Sequence, residues 1–187
     1  MSSPGRSALL LSVLTLFAAA AAFAGARPRT PQAAVAAAGP VVLAEKDLAA
    51  VVPAGFFYSG RSALTQARNS AAARLPRNKY VLAGLVDTAG YSADVRETYQ
   101  GFFIADTRVN VGTGALAAGA YGFGFTDDGN FTVTDVGGQK LLAVASAQDA
   151  AQTRPRPLMM TVAGGKLRLY GGRRYVEIST APVEPEL

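Results

Sequence analysis

The chain has 187 residues, of which half are hydrophobic and 17% are charged, and its formal net charge is +5. This length suits one domain with flanking segments, and the apolar share is sufficient for a buried core. Cysteine and histidine are both absent from the sequence, which excludes disulfides, thiolate nucleophiles, imidazole bases and the usual zinc ligands. We therefore predict no catalytic residues, no metal site and no cofactor, and the sequence favours a non-catalytic protein.

The N-terminal segment, residues 1–26, has the pattern of a secretory signal peptide. A single cation, Arg6, precedes an apolar run over residues 8–23, and small-residue cleavage patterns follow at 22–24 and 24–26. The run is shorter than the roughly 20 residues that a membrane-spanning helix needs. We predict export to the periplasm, the cell envelope or the medium, with no transmembrane segment after cleavage. Retention of the segment as an anchor is the alternative.

Composition divides the rest of the chain into three segments. Residues 27–53 are rich in alanine and proline and are predicted to form a linker, and residues 181–187 are predicted to be a disordered tail. The predicted domain, residues 54–180, has 14 Lys and Arg against 9 Asp and Glu. Because these charges are scattered, we predict no nucleic-acid binding. The expected partner is an unknown envelope ligand or protein, and the sequence does not define the oligomeric state.

Short runs typical of β-strands follow one another through the predicted domain. Residues 56–58 come first, and the alanine-rich segment 63–74 fits either a strand or a helix. Ser92 is placed to cap a short helix ending near Tyr99, and residues 146–153 are a second helical candidate. Glycine pairs at 137–138, 164–165 and 171–172 indicate tight turns between the later strands. The other predicted strands are 79–87, 99–105, 120–126, 131–136, 141–145, 157–162, 166–170 and 175–178.

The clearest local signal is a hairpin over residues 120–136. Both arms alternate in polarity, and the connector Asp127-Asp128-Gly129-Asn130 is typical of a turn. This connector lacks the spacing of a complete calcium loop. Tyr121, Phe123 and Phe125 share one face of the first arm, where we predict core packing rather than sugar stacking. The whole pattern predicts an all-β fold: an antiparallel β-sandwich or flattened barrel of about eight or nine short strands.

Five residues are candidate ligand contacts. Gln66, Arg68 and Asn69 concentrate directed hydrogen-bonding groups, and Asp87 and Tyr91 follow a predicted strand. A guanidinium binds carboxylates through two parallel hydrogen bonds, so Arg68 is suited to hold an acidic ligand. The alternative is a structural salt bridge between Arg68 and Asp87. Tyrosines predicted to be exposed provide further candidates for stacking on sugars: Tyr58, Tyr91, Tyr99, Tyr170 and Tyr175.

Two other functions stay open. A glycan hydrolase without histidine would need paired carboxylates such as Asp87 and Glu97. An assembly or adhesion subunit would instead pair through an exposed strand edge. We place both below ligand or partner binding by a non-catalytic domain.

Four segments together resemble a group of small exported bacterial β-rich proteins of unknown function. They are Leu116–Phe123, which has the shape Leu-x-x-Gly-x-Tyr, Gln66–Ser70, Leu85–Tyr91 and Leu169–Arg173. The resemblance covers residues 54–179 and implies an exported β-sandwich domain, without an activity to transfer. Ala71-Ala72-Ala73 departs from the glycine-rich turn expected after Asn69.

Overall fold

The protein's structure, a computed structural model, describes residues 39–180. The predicted signal peptide, the first part of the predicted linker and the predicted tail lie outside these residues. Helix is limited in the described part to α1 (Glu45–Leu48), α2 (Ala93–Thr98) and a 3-10 turn, Pro76–Asn78. No helix there is long and apolar enough to cross a membrane. The strands are β1 (Val41–Val42), β2 (Gly55–Tyr58), β3 (Arg61–Leu75), β4 (Lys79–Val86), β5 (Gly101–Ala105), β6 (Val109–Val111), β7 (Gly114–Leu116), β8 (Gly119–Phe125), β9 (Asn130–Thr134), β10 (Lys140–Ala145), β11 (Ala147–Gln148), β12 (Arg156–Ala163), β13 (Lys166–Gly172) and β14 (Arg174–Thr180).

These strands form two antiparallel sheets, which confirms the predicted all-β sandwich. The eight-stranded sheet has the order β1-β3-β4-β5-β8-β9-β10, with β2 paired to β3. The six-stranded sheet has the order β12-β13-β14-β6-β7, with β11 paired to β14. The described chain has more strands than predicted because β1, β6, β7 and β11 contain only two or three residues. Such short strands leave no detectable alternation in a sequence.

The main core lies between the two sheets and follows from alternation along the strands. Phe123, Phe125, Phe131 and Val133 project from β8 and β9 into this core, with Tyr121 at its margin. Side chains of the six-stranded sheet, such as Leu169, pack against them. Burying one such aromatic side chain stabilises the fold by roughly 1.5–3 kcal/mol. The prediction that this aromatic row belongs to the core is therefore confirmed, as is the hairpin that contains it.

A second, smaller core covers part of the opposite, outer face of the eight-stranded sheet. Tyr58 from β2 stacks on Tyr99 with ring centroids 3.7 Å apart, and Tyr91 meets Tyr99 edge-on at 5.2 Å. Tyr58, Tyr91, Tyr99 and Tyr170 are all buried, so the prediction that they are exposed sugar platforms is wrong. Tyr58, Tyr91 and Tyr99 are buried because the β2–β3 hairpin and α2 fold back over the sheet, a non-local event that their local sequence does not encode. Tyr170 lies instead on β13 of the six-stranded sheet, where its ring contacts Tyr175 and its hydroxyl donates to Asp149 at 3.0 Å.

In three segments the structure differs from the sequence-based prediction or decides between two predicted alternatives. Residues 63–74 form part of the long strand β3 rather than a helix. Residues 146–153 begin with β11, which pairs with β14, and do not form the candidate helix. The amide and hydroxyl of Ser146 both donate to the Gly129 carbonyl, which fixes the chain on the sheet at the start of this segment. Within the predicted linker, β1 pairs with β3 and Leu48 of α1 is buried.

Candidate functional site: a cleft beside helix α2

The first three candidate contacts lie on a bulge of β3. Thr65 pairs with Val86 and Ser70 pairs with Gly84, so residues 66–69 have no partners on β4. Gln66 donates its side-chain amide to the Val86 carbonyl at 3.2 Å, and Asn69 donates to Gln66 Oε1 at 2.7 Å. The structure thus brings Gln66 and Asn69 together, with Arg68 exposed between them. Their hydrogen bonds stabilise the bulge itself.

Asp87 and Tyr91 have local structural roles. The Asp87 carboxylate accepts a hydrogen bond from the Ala89 amide at 3.0 Å and so closes a turn. Tyr91 is buried, and its hydroxyl is hydrogen-bonded to the carbonyls of Tyr58 and Arg61, both at 3.2 Å. Burial is the main cause that raises the Tyr91 pKa above its ordinary value. This tyrosine therefore anchors the β2–β3 hairpin.

The five candidate residues do not converge on one site. Arg68 lines a small depression shared with Glu45 and Arg156, whereas Asp87 and Tyr91 line another. Arg68 and Asp87 form no salt bridge: both ion pairs in the described chain involve Glu177 on the six-stranded sheet. A different region of the fold brings several charged side chains together in one cleft.

A cleft of about 660 Å³ lies between α2, the β8–β9 hairpin and β10. Its volume falls within the range of small-molecule sites, about 300–1,000 Å³. We call it the α2 cleft. The polar residues that define it are Arg96, Glu97, Asp127, Asp128, Thr132 and Lys140.

The helical wall of the α2 cleft is clamped to the sheet. Gly124 permits close approach of α2, since a Cβ at this position would lie 2.5 Å from the Thr98 carbonyl oxygen. The Gln100 side chain donates to the Phe125 carbonyl at 3.1 Å and accepts from the Phe125 amide at 3.0 Å. Gln100 N–H also donates to the Phe123 carbonyl at 2.8 Å. These contacts fix the end of α2 against β8.

The opposite wall is the ordered β8–β9 connection. Asp128 accepts hydrogen bonds from the Thr126 hydroxyl and from Asn130, through both the Asn130 amide at 3.2 Å and its side chain at 2.8 Å. These bonds, with that from Thr126 the strongest influence, hold the Asp128 pKa below its ordinary value, so the carboxylate is ionised. Arg174 donates to the carbonyls of Thr126 and Phe125 and ties the connection to β14. Among residues 39–180, no three acidic side chains are grouped to hold a metal ion.

The floor of the α2 cleft contains a buried hydroxyl without a partner. Thr132 and Thr134 project from the outer face of β9, and each is only 2% exposed. The Thr134 hydroxyl is hydrogen-bonded to the Tyr58 hydroxyl at 3.0 Å, whereas that of Thr132 has no hydrogen-bond partner among the described residues. An unsatisfied buried polar group costs about 1–3 kcal/mol. No hydrogen bond among the described residues offsets this cost at Thr132, nor at Tyr99, whose buried hydroxyl also lacks a partner.

Charged side chains surround this floor and are exposed. Arg96 and Glu97 extend from α2, Asp127 from the hairpin connection and Lys140 from β10. None of the four forms an ion pair within the part of the chain that the structure describes. Glu97 lines the α2 cleft whereas Asp87 lines a different depression, so neither contains both carboxylates of the pair considered for a glycan hydrolase.

Comparison with protein-family models, with curated proteins and with solved structures finds no match for this chain. The resemblance to small exported bacterial β-rich proteins therefore stays a prediction.

Sequence reasoning missed Thr132, Arg96 and Lys140 as members of one site. The alternation Phe131-Thr132-Val133-Thr134 indicates that both threonines leave the core face of their strand. What it does not indicate is that Tyr58 covers one threonine while α2 borders the other. The repeated threonine and the predicted short helix are each visible in the sequence, but they are more than 30 residues apart and only the tertiary fold joins them.

Proposed function

We propose that this protein is an exported, non-catalytic binding domain that holds a small polar ligand in the α2 cleft. The observation that supports binding most strongly is the unpartnered Thr132 hydroxyl, which is 2% exposed at the cleft floor. Export rests on the signal-peptide pattern of residues 1–26.

The rigidity of the α2 cleft favours binding. The Gln100 clamp and the hydrogen bonds around Asp128 order its two walls before any ligand arrives. A preformed site avoids much of the entropy loss that otherwise opposes association. The four charged groups around Thr132 are free to contact a ligand because they are not engaged in ion pairs within the described chain.

The test compares Thr132→Val with Thr134→Val in full-length protein. A thermal-shift screen with sugars, amino acids, small carboxylates and amines identifies a ligand, which at 100 times its Kd stabilises the fold by about 2.7 kcal/mol. A tenfold loss of affinity in Thr132→Val should reduce the shift in melting temperature by about half, and Thr134→Val should retain it in full. Shifts that are equal in both variants, or absent with every compound, would overturn the proposal.

A second candidate function, association through a strand edge, is favoured by β10. This strand ends the eight-stranded sheet and pairs there only with β9. Leu141 is 48% exposed on it, and Val136 in the preceding connection is 42% exposed. Exposed apolar edges are sites of strand addition. Concentration-dependent mass in analytical ultracentrifugation, abolished by Leu141→Lys, would favour assembly; a constant monomer mass would exclude self-association.

A further inference from the structure

We infer that the ligand of the α2 cleft is an uncharged polyhydroxylated molecule, namely a neutral glycan segment. This inference rests on the proposed function and assigns its ligand class. Three properties of the cleft support it: the balance of its charges, the pattern of its hydrogen-bonding groups and the placement of its apolar surface.

The charge balance of the cleft opposes ionic ligands. Two cations, Arg96 and Lys140, face three carboxylates, those of Glu97, Asp127 and Asp128. This acidic majority occurs in a chain whose net charge is +5, so the cleft is not part of the general cationic surface. Because charges of both signs line the cleft, an ion of either sign would meet like charges as well as opposite ones, whereas a ligand without charge avoids the like-charge contacts.

The hydrogen-bonding groups are complementary to hydroxyls. Carboxylates only accept hydrogen bonds, whereas guanidinium and ammonium groups only donate them. Each ligand hydroxyl both donates and accepts, so a polyol can satisfy Glu97 and Arg96 at the same time. The Thr132 hydroxyl has the same dual capacity and lacks any partner in the described chain.

The apolar surface of the cleft is limited and lies close to the polar groups. Ala93 on α2 and Ala143 on β10 are exposed and line the cleft. Ala143 is the register partner of Thr132, so a small methyl group lies beside the buried hydroxyl. Sugar rings present C–H groups between their hydroxyls, and these C–H groups can contact such methyl surfaces while the hydroxyls bind Thr132 and the surrounding charges.

Isothermal titration of the full-length protein tests the inference. The probes are neutral oligosaccharides of glucose, mannose and N-acetylglucosamine, an acidic oligogalacturonate and the polyamine spermine. We expect a neutral oligosaccharide to bind, with a Kd that changes little between low and high salt because the ligand has no charge to screen. Thr132→Val should weaken this binding by about tenfold, equivalent to about 1.4 kcal/mol.

Two variants keep the outcome interpretable. Thr134→Val alters the same strand and face and should bind like the wild type, while Lys140→Ala removes an exposed donor and should weaken binding without affecting the fold. If only the oligogalacturonate or spermine binds, and Thr132→Val weakens that binding, the neutral-glycan inference is wrong and the proposed binding site stands. If no probe binds in a Thr132-dependent manner, the neutral-glycan inference fails, and the thermal-shift screen with amino acids, small carboxylates and amines decides whether the proposed site fails with it.

Discussion

The outer face of the eight-stranded sheet has two halves, and the buried threonine in each half differs in its hydrogen bonding. In the tyrosine half, Thr134 is covered by Tyr58 and shares a hydrogen bond with it. In the cleft half, Thr132 is equally buried but has no partner among the described residues. The residues belong to the same strand and the same face. The tyrosine half also contains an unpartnered buried hydroxyl, that of Tyr99. The proposal that the cleft half contacts a ligand therefore rests on the Thr132 hydroxyl together with the charged lining of the α2 cleft.

The largest effect should come from the tyrosine half. Phe102 is fully buried there and stacks on Phe56 with ring centroids 5.6 Å apart. Phe102→Ala should lower the free energy of unfolding by about 3–5 kcal/mol, since it removes buried surface and leaves a cavity. Urea denaturation measures this loss. Lys140→Ala in the cleft half should change the free energy of unfolding by no more than about 0.5 kcal/mol. Similar losses in both variants would show that the two halves do not differ in their contribution to stability.

A glycine at the border between the halves should have the next largest effect. The added methyl group of Gly124→Ala would meet the Thr98 backbone, so α2 must shift away from β8. We expect a loss of about 1–3 kcal/mol together with weaker ligand binding, because α2 forms a cleft wall. Gly137→Ala, in the β9–β10 connection, is the control. Unaltered stability of Gly124→Ala would show that α2 is not fixed as described.

The Tyr58–Thr134 hydrogen bond should give a smaller, coupled effect. Tyr58→Phe and Thr134→Val each leave one buried hydroxyl without its partner, at a cost of about 1–2 kcal/mol. The double variant should lose less than the sum of the single losses, since neither hydroxyl then remains. A double-mutant cycle by chemical denaturation measures this coupling, and strictly additive losses would contradict the assigned bond.

The smallest effect is a loss of stability at alkaline pH that arises from the Tyr99 phenol. Burial, followed by the influence of Tyr91, raises the Tyr99 pKa above its ordinary value of about 10. The folded state favours the protonated phenol. Its contribution to the free energy of unfolding is therefore complete below about pH 10, the pKa of an exposed tyrosine, and is lost as the pH rises through the higher pKa of the folded state. Denaturation curves should show this loss, and Tyr99→Phe should have a flatter alkaline profile. Parallel profiles for the two proteins would refute the prediction.

Much of the fold could be predicted because its signals are local. The β8–β9 hairpin shows alternation around an Asp/Gly/Asn connector. Ser92 occupies the predicted N-cap position of α2, although its side chain makes no capping hydrogen bond. The bulge at residues 66–69 could not be predicted, since it is defined only by the pairing of β3 with β4. The β1–α1 segment is likewise ordered by contacts with β3 that are distant in sequence.

The candidate site was less accessible to sequence reasoning. Gln66, Arg68 and Asn69 are candidate contacts because their polar groups are close together in the chain. In the fold they lie on a bulge of β3, where Gln66 donates to the Val86 carbonyl and Asn69 donates to Gln66. The α2 cleft combines residues from α2, the hairpin and β10, which are separated by tens of residues. Of its residues, the sequence indicates chemistry only for Glu97, as a hydrolase carboxylate, and for the Asp127–Asn130 connector, as an incomplete calcium loop.

The free energy of unfolding of Thr132→Val, measured by urea denaturation without ligand and beside Thr134→Val, tests the central claim most directly. Replacing an unpartnered buried hydroxyl with a methyl group should leave stability unchanged or increase it, while Thr134→Val should lose about 1–2 kcal/mol. An equal loss in both variants would show that the Thr132 hydroxyl has a structural partner, and would contradict its assignment to a ligand.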